Sequence, residues 1–308
     1  MKFYKKLIVI FFAMLVISCI LGSVLKTPID TLVKENETIR ELASYHDGVY
    51  NYGKILRRIF MIVIVCLLIF SRKSLGLGQL ITSGLRLRPG WKNNLVTGLS
   101  IGVISLLIYG IFTFVLGVQL AENRPPSISA LITKPIIYLF EACLIGLFEE
   151  TLLRGIILRG LLKDLSRSVS IISASLFYAL LHFFSFKVNI TVGNHPFAGF
   201  TTLAGFFSPH LLDIQMILPF IIGLFLLGVV LSLAYLHTGS LYLSIGLHAG
   251  LVYGVKLNHL LLDHNHEMST WFFGDGHIVS GVFGWIFLLG ILMIIKICIP
   301  STPIQQQS

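Results

Sequence analysis

The chain has 308 residues, of which 55% are hydrophobic and only 12% charged, with a formal net charge of +9 and a mean hydropathy of +0.87. Soluble domains carry roughly twice that charged fraction, so the composition excludes an ordinary soluble domain and points to an all-α, polytopic membrane protein. The basic balance is diffuse, which fits loops meeting anionic lipid and not a nucleic-acid surface; the four cysteines have no metal-ligand spacing and suggest no disulfide framework.

A span needs about 20 apolar residues. Residues 7–25 are uncharged and follow Lys2, Lys5 and Lys6. They read as an uncleaved first span, because the apolar run continues past Cys19, where a lipoprotein signal would be cut. Residues 26–53 are polar and mixed in charge, an external loop. Residues 54–71 make a second span only if Arg57 and Arg58 snorkel to the interface. Residues 72–92 hold Arg72, Lys73, Arg86, Arg88 and Lys92 with no acid, a cytoplasmic loop by the positive-inside rule. Residues 93–121 form a third span and 122–134, with Pro125 and Pro126, an external loop.

Pro135 suits the first turn of a fourth helix, which runs to about Leu162. Residues 168–186 are a fifth span, and 187–213 a connection rich in Phe and Gly. Residues 214–255 contain no Asp, Glu, Lys or Arg and break at His237-Thr238-Gly239-Ser240, a helical hairpin of two spans. A polar loop over 256–276 and an apolar run over 278–295 complete about eight spans, with both termini cytoplasmic. No repeat is evident. The expected organisation is an N-terminal transmembrane region over 1–134, a core over 135–255, and a loop, last span and tail over 256–308.

The fourth helix carries charge where lipid disfavours it. Glu149 and Glu150 are adjacent, and Arg154 follows Glu150 by four residues, so Glu150 and Arg154 share a helix face and can pair. Glu149 points about 100° away. One carboxylate is thus neutralised while its neighbour stays available as a base. Buried charges in a span mark functional sites; the alternative is an ion pair that merely locks two helices. His182 and His248 lie inside later apolar runs. Counted from the apparent cytoplasmic ends of their helices, Glu149, His182 and His248 lie about 12–21 Å deep and can meet near mid-membrane. Glu141, near the external end, has no assigned role. Asp263-His264-Asn265-His266-Glu267 looks metal-like but reads as a solvated external turn.

At these residues the chain resembles the CPBP family of CAAX-processing and bacteriocin-processing membrane proteases, which includes the type II CAAX-prenyl endopeptidases. Glu149-Glu150-Thr151-Leu152-Leu153-Arg154 is similar to the family's EExxxR motif, His182 to the histidine of FxxxH, and His248 to that of HxxxN. The resemblance covers about 135–255, and spacing of this kind over three helices is specific. It departs at two positions. Tyr178 stands where the family has Phe, and Val252 where it has Asn, so one oxyanion donor is missing; Ser244 and Tyr253 are candidate substitutes.

The resemblance implies a glutamic intramembrane endopeptidase. Glu149 would be the general base, His182 would orient the water, and His248 would stabilise the oxyanion. Glu150, Arg154 and Tyr178 would support them. It implies no cofactor, although Glu149 and the two histidines could instead hold a zinc ion with a water in the fourth position. The implied partners are the bilayer and a membrane-associated protein or peptide substrate, with no nucleic acid, in the bacterial cytoplasmic membrane. The alternatives are a non-catalytic scaffold or immunity protein on the same fold, which Val252 favours, and a transporter using the buried charges as a proton relay.

Overall fold

Long uncharged segments can satisfy their backbone in lipid only as helices, and the chain is helical almost throughout. The computed structural model describes residues 2–87, 89–122, 125–183, 188–193, 195–207, 214–268, 270–274 and 277–301. In chain order these form α1 (Phe3–Glu35), α2 (Glu37–Leu42), β1 (Val49–Asn51), α3 (Tyr52–Phe70), α4 (Arg72–Leu75), α5 (Leu77–Gly84), α6 (Trp91–Val115), β2 (Gln119–Ala121) and α7 (Ile128–Glu150). A π-helix over Thr151–Leu158 leads into α8 (Arg159–Leu161). There follow α9 (Arg167–Phe183), β3 (Asn189–Thr191), α10 (Ala198–Gly205), α11 (Ile214–Thr238), α12 (Leu241–Leu261), β4 (Leu262–His264) and α13 (Val282–Cys298).

Among the described residues four helices are long and apolar enough to cross a membrane, Phe3–Glu35, Trp91–Val115, Ile128–Leu161 and Ile217–Thr238, and Val282–Cys298 is a shorter apolar helix. The all-α membrane character is as expected, and the described residues give four of the expected eight spans by length and composition.

Several boundaries differ from the sequence reading. Residues 26–35 continue α1 instead of forming a loop, because Lys26 and Asp30, one turn apart, neutralise each other at 2.5 Å. Pro135 sits inside α7, which starts at Ile128 behind a Ser127 cap that accepts from the Ala130 amide. The hairpin over α11 and α12 is present, turning at Gly239 with φ 64°. However, α12 runs past Lys256 to Leu261, since Lys256 finds a partner in Glu141 at 2.5 Å. The expected basic loop residue Arg88, much of the connection after α9 and His210 lie outside the described residues.

The chain divides into two compact units, one of Met1–Gly76 with Leu180–Asp213 and one of Leu77–Ala179 with Ile214–Ser308. In the first, β1 and β3 pair antiparallel, with Tyr50 opposite Ile190. The buried Lys26–Asp30 pair is completed by the Tyr50 hydroxyl and the Gly193 amide, both donating to Asp30, and by the Thr191 carbonyl, which accepts from Lys26.

In the second unit, α6 and α12 approach backbone to backbone. A Cβ at Gly98 would meet the Leu243 carbonyl at 2.3 Å, and one at Gly102 the Leu247 carbonyl at 2.6 Å. Reciprocally, a Cβ at Gly246 would meet the Leu95 carbonyl at 2.1 Å, and one at Gly250 the Leu99 carbonyl at 2.4 Å. Two G-x-x-x-G pairs thus face each other, the small-residue packing that holds helices together in lipid, where apolar burial gives no drive. On its other side α12 meets α7. Within α7 only Ala142, Gly146 and Glu150 are buried, one every four residues and hence a single stripe. A Cβ at Gly146 would meet the Ile245 carbonyl at 2.9 Å and the Ala249 nitrogen at 3.1 Å.

Candidate functional site

The α7 stripe decides which glutamate goes where. Glu150 continues Ala142 and Gly146 by one more turn, so it enters the interior, and its side chain is 0% exposed. Glu149 lies off the stripe and is 35% exposed. The helix then widens into the π-helix, a feature frequent at functional sites, and Leu153 to Leu158 are all buried.

Arg154 returns to Glu150. Its Nη1 donates to Glu150 Oε1 at 2.6 Å and its Nη2 to the Gly228 carbonyl on α11 at 3.0 Å. The guanidinium carbon lies 5.3 Å from the centre of the Tyr178 ring, a desolvated cation–π contact. His248 sits between Gly246 and Gly250, so the clamp on α6 also fixes the histidine. Its Nδ1 is 2.9 Å from Glu150 Oε1. An ionised carboxylate only accepts, so Nδ1 carries a proton and donates to it. That bond turns Nε2 toward Glu149 Oε2, 3.8 Å away, too far for a direct hydrogen bond. The Tyr178 and His248 rings meet edge to face with centroids 6.2 Å apart.

Several polar atoms here are buried without a hydrogen-bond partner among the described residues: Glu149 Oε2, Glu150 Oε2, Thr151 Oγ1 and Arg154 Nε. Native interiors rarely leave such atoms unsatisfied, and their concentration on one turn marks a place built for a water or a substrate group.

The structure therefore brings together five of the six residues singled out in the sequence: Glu149, Glu150, Arg154, Tyr178 and His248. The sixth, His182, lies one turn past Tyr178 in the last turn of α9, half-buried. It has an interaction of its own and belongs to the other compact unit. Of the suggested substitute donors, Ser244 is already engaged, donating to the Leu241 carbonyl at 3.0 Å. Gly228 was not anticipated; a glycine inside an apolar helix was its only signal.

A zinc site needs three protein donors around one point. Among the described residues no group of three or more His, Cys, Asp or Glu side chains is disposed to hold a metal ion, and the permanent charge of Arg154 lies one turn from the carboxylates. Of the metal-like turn after α12, Asp263 and His264 belong to β4, paired antiparallel with β2 with Leu120 opposite Asp263, and His266–Met268 form a 3-10 turn.

No curated protein and no solved structure matches the chain. A family model does match, over residues 131–253, described as type II CAAX prenyl endopeptidase Rce1-like. The whole cluster from Glu149 to His248 lies inside those residues, and the resemblance read from the motifs is borne out there: over residues 131–253 the chain is a match to the Rce1-like family of CAAX endopeptidases.

Proposed function

We propose that the protein is an intramembrane endopeptidase in which Glu149 activates the attacking water. One observation carries the reading. Glu149 is a half-exposed carboxylate facing the Nε2 of a histidine whose other nitrogen is anchored on the Glu150–Arg154 pair. A partly exposed carboxylate, with its buried Oε2 unpartnered by any hydrogen bond among the described residues, thus stands beside an anchored histidine, the combination that amide hydrolysis requires.

The step balances as follows. Glu149 takes a proton from water, and the oxygen attacks the peptide carbonyl carbon. The carbonyl oxygen becomes an oxyanion held by His248 Nε2–H, which requires His248 to be the imidazolium, protonated on Nε2 as well as on the Nδ1 that donates to Glu150. Collapse of the tetrahedral intermediate breaks the C–N bond, and Glu149 returns its proton to the leaving amine. Glu150 and Arg154 hold His248 and balance charge where water is excluded. The resemblance assigns His182 to orienting the water. No metal takes part. The substrate is a membrane-associated protein or peptide, with a prenylated C-terminus as the first candidate from the matching family's description. The topology that goes with this reading has eight crossings and both termini in the cytoplasm of a bacterial inner membrane.

The test uses purified protein in vesicles, an internally quenched farnesylated peptide ending in a CAAX sequence, ¹⁸O-labelled water and a chelator. Cleavage that places one ¹⁸O atom in the new carboxylate and survives chelation supports the reading. Absence of cleavage overturns it, as does activity lost on chelation and restored by zinc.

A further inference from the structure

The seam between α7 and α12 carries charge at two places, and the reaction above uses only one of them. At that place lie Glu149 and His248. At the other, Lys256 on α12 donates to Glu141 Oε2 on α7 at 2.5 Å, with its ammonium 5.0 Å from the centre of the Tyr138 ring. Both side chains reach outside the packing, Lys256 31% and Glu141 44% exposed. The helices need no ionic tie, because Gly146 already lets their backbones meet, a Cβ there standing 2.9 Å from the Ile245 carbonyl. An ammonium has three donors, and this one makes a single hydrogen bond among the described residues. Charge placed inside apolar helices is costly and marks function.

The two charged places are in register. Glu141 precedes Glu149 by eight residues and Lys256 follows His248 by eight, on helices that run in opposite directions, since Glu150 meets His248 and Glu141 meets Lys256. Eight residues of helix rise about 12 Å. Glu141, Ile145 and Glu149 form a half-buried row on α7, one residue off the buried row of Ala142, Gly146 and Glu150. On α12 the half-buried Val252 lies one turn from His248 and one from Lys256. The seam thus has a polar end where a carbonyl is attacked, an apolar middle at Ile145 and Val252, and a cationic end. An extended peptide advances about 3.3 Å per residue, so roughly three to four residues reach from the attacked bond to Lys256. A chain that ends there brings a carboxylate among apolar helices, where it needs a cation.

We propose that Lys256 binds the free C-terminal carboxylate of the substrate and so directs cleavage to a bond a fixed, short distance from the chain end. The assignment rests on the endopeptidase reading above. Glu141 orients the ammonium over the Tyr138 ring and shares it with the incoming carboxylate.

The experiment measures kcat and KM on the farnesylated peptide in two forms, one with a free C-terminal carboxylate and one with a C-terminal amide, the quencher being carried on a side chain so that the terminus stays free. Wild type, Lys256→Met and Glu141→Gln are compared. Losing one charge-assisted contact weakens binding by about tenfold. Wild type should therefore show a KM about tenfold higher for the amide than for the acid. Lys256→Met should raise the KM of the acid to that of the amide and leave cleavage of the amide unchanged. Glu141→Gln, which leaves the ammonium in place, should keep or increase the preference for the acid. Equal handling of acid and amide by wild type overturns the proposal. So does a Lys256→Met loss that falls equally on both forms with a lowered thermal midpoint, the result of a merely structural pair, or a Glu141→Gln variant that has lost the preference. If wild type cleaves neither form, the endopeptidase reading itself has failed, and this assignment with it.

Discussion

Replacing Arg154 with methionine should be among the most damaging single changes in the chain. The side chain is 1% exposed and its partner Glu150 0%, so solvent cannot take over from the guanidinium. The substitution leaves Glu150 as a buried carboxylate with, among the described residues, only His248 Nδ1 to hold it. Breaking a buried pair on one side costs about 3–5 kcal/mol. Losing the cation over the Tyr178 ring costs about 2 kcal/mol more at a desolvated site. The Gly228 carbonyl suffers less, because the Ser232 hydroxyl also donates to it, at 2.7 Å. In the double variant Glu150→Gln, Arg154→Met no charge is stranded, so its cost should be smaller than the sum of the single costs by about 2 kcal/mol or more. Reversible unfolding in mixed micelles, followed by tryptophan fluorescence, reads all three variants. A cost below about 1 kcal/mol for Arg154→Met, the range of exposed pairs, would refute the claim that this pair is buried.

Two further variants test other parts of the account. Gly250→Leu drives a side chain into the Leu99 carbonyl, 2.4 Å from where the Cβ would stand. Two backbones cannot yield there, so it should destabilise by about 1–3 kcal/mol or more and abolish cleavage, whereas Gly290→Ala, which opens onto free space inside α13, should be neutral or slightly stabilising; the same unfolding assay compares them. In the first unit, burial and then the Asp30 carboxylate push the Tyr50 phenol well above its ordinary range. A raised folded value gives stability that is full below the unfolded value of about 10 and lost as pH rises through the folded one, so Tyr50→Phe should flatten the alkaline limb of the stability–pH curve; an unchanged limb contradicts the Tyr50–Asp30 bond.

What the sequence carried was chemical type and spacing. Glu150 and Arg154 at i and i+4 announce their pairing, and a roughly 100° step separates Glu149 from it. Which of the two glutamates turns inward follows from Ala142 and Gly146, small residues that set the buried stripe, and that pattern is readable once α12 is known to pack there. The π-helix was illegible, because its residues have the same apolar pattern an α-helix would have. The α6–α12 contact was in plain view as Gly98/Gly102 and Gly246/Gly250, but pairing two such motifs needs the tertiary fold. Residues 26–35 read as a loop because their charges look solvated in one dimension; the neutralising partners Tyr50, Thr191 and Gly193 come from distant positions. Glu141 was passed over for the same reason, its partner Lys256 being more than a hundred positions away.

The most direct test of the central claim is the turnover of Glu149→Gln on the quenched farnesylated peptide, at matched expression and thermal midpoint. The substitution keeps the shape of the side chain and removes its basic oxygen. Because Glu149 is neither the carboxylate paired with Arg154 nor the one that anchors His248, the fold should be unaffected. The account predicts that cleavage falls to background while the protein unfolds at the wild-type midpoint. Cleavage at a rate comparable to wild type would show that another group activates the water.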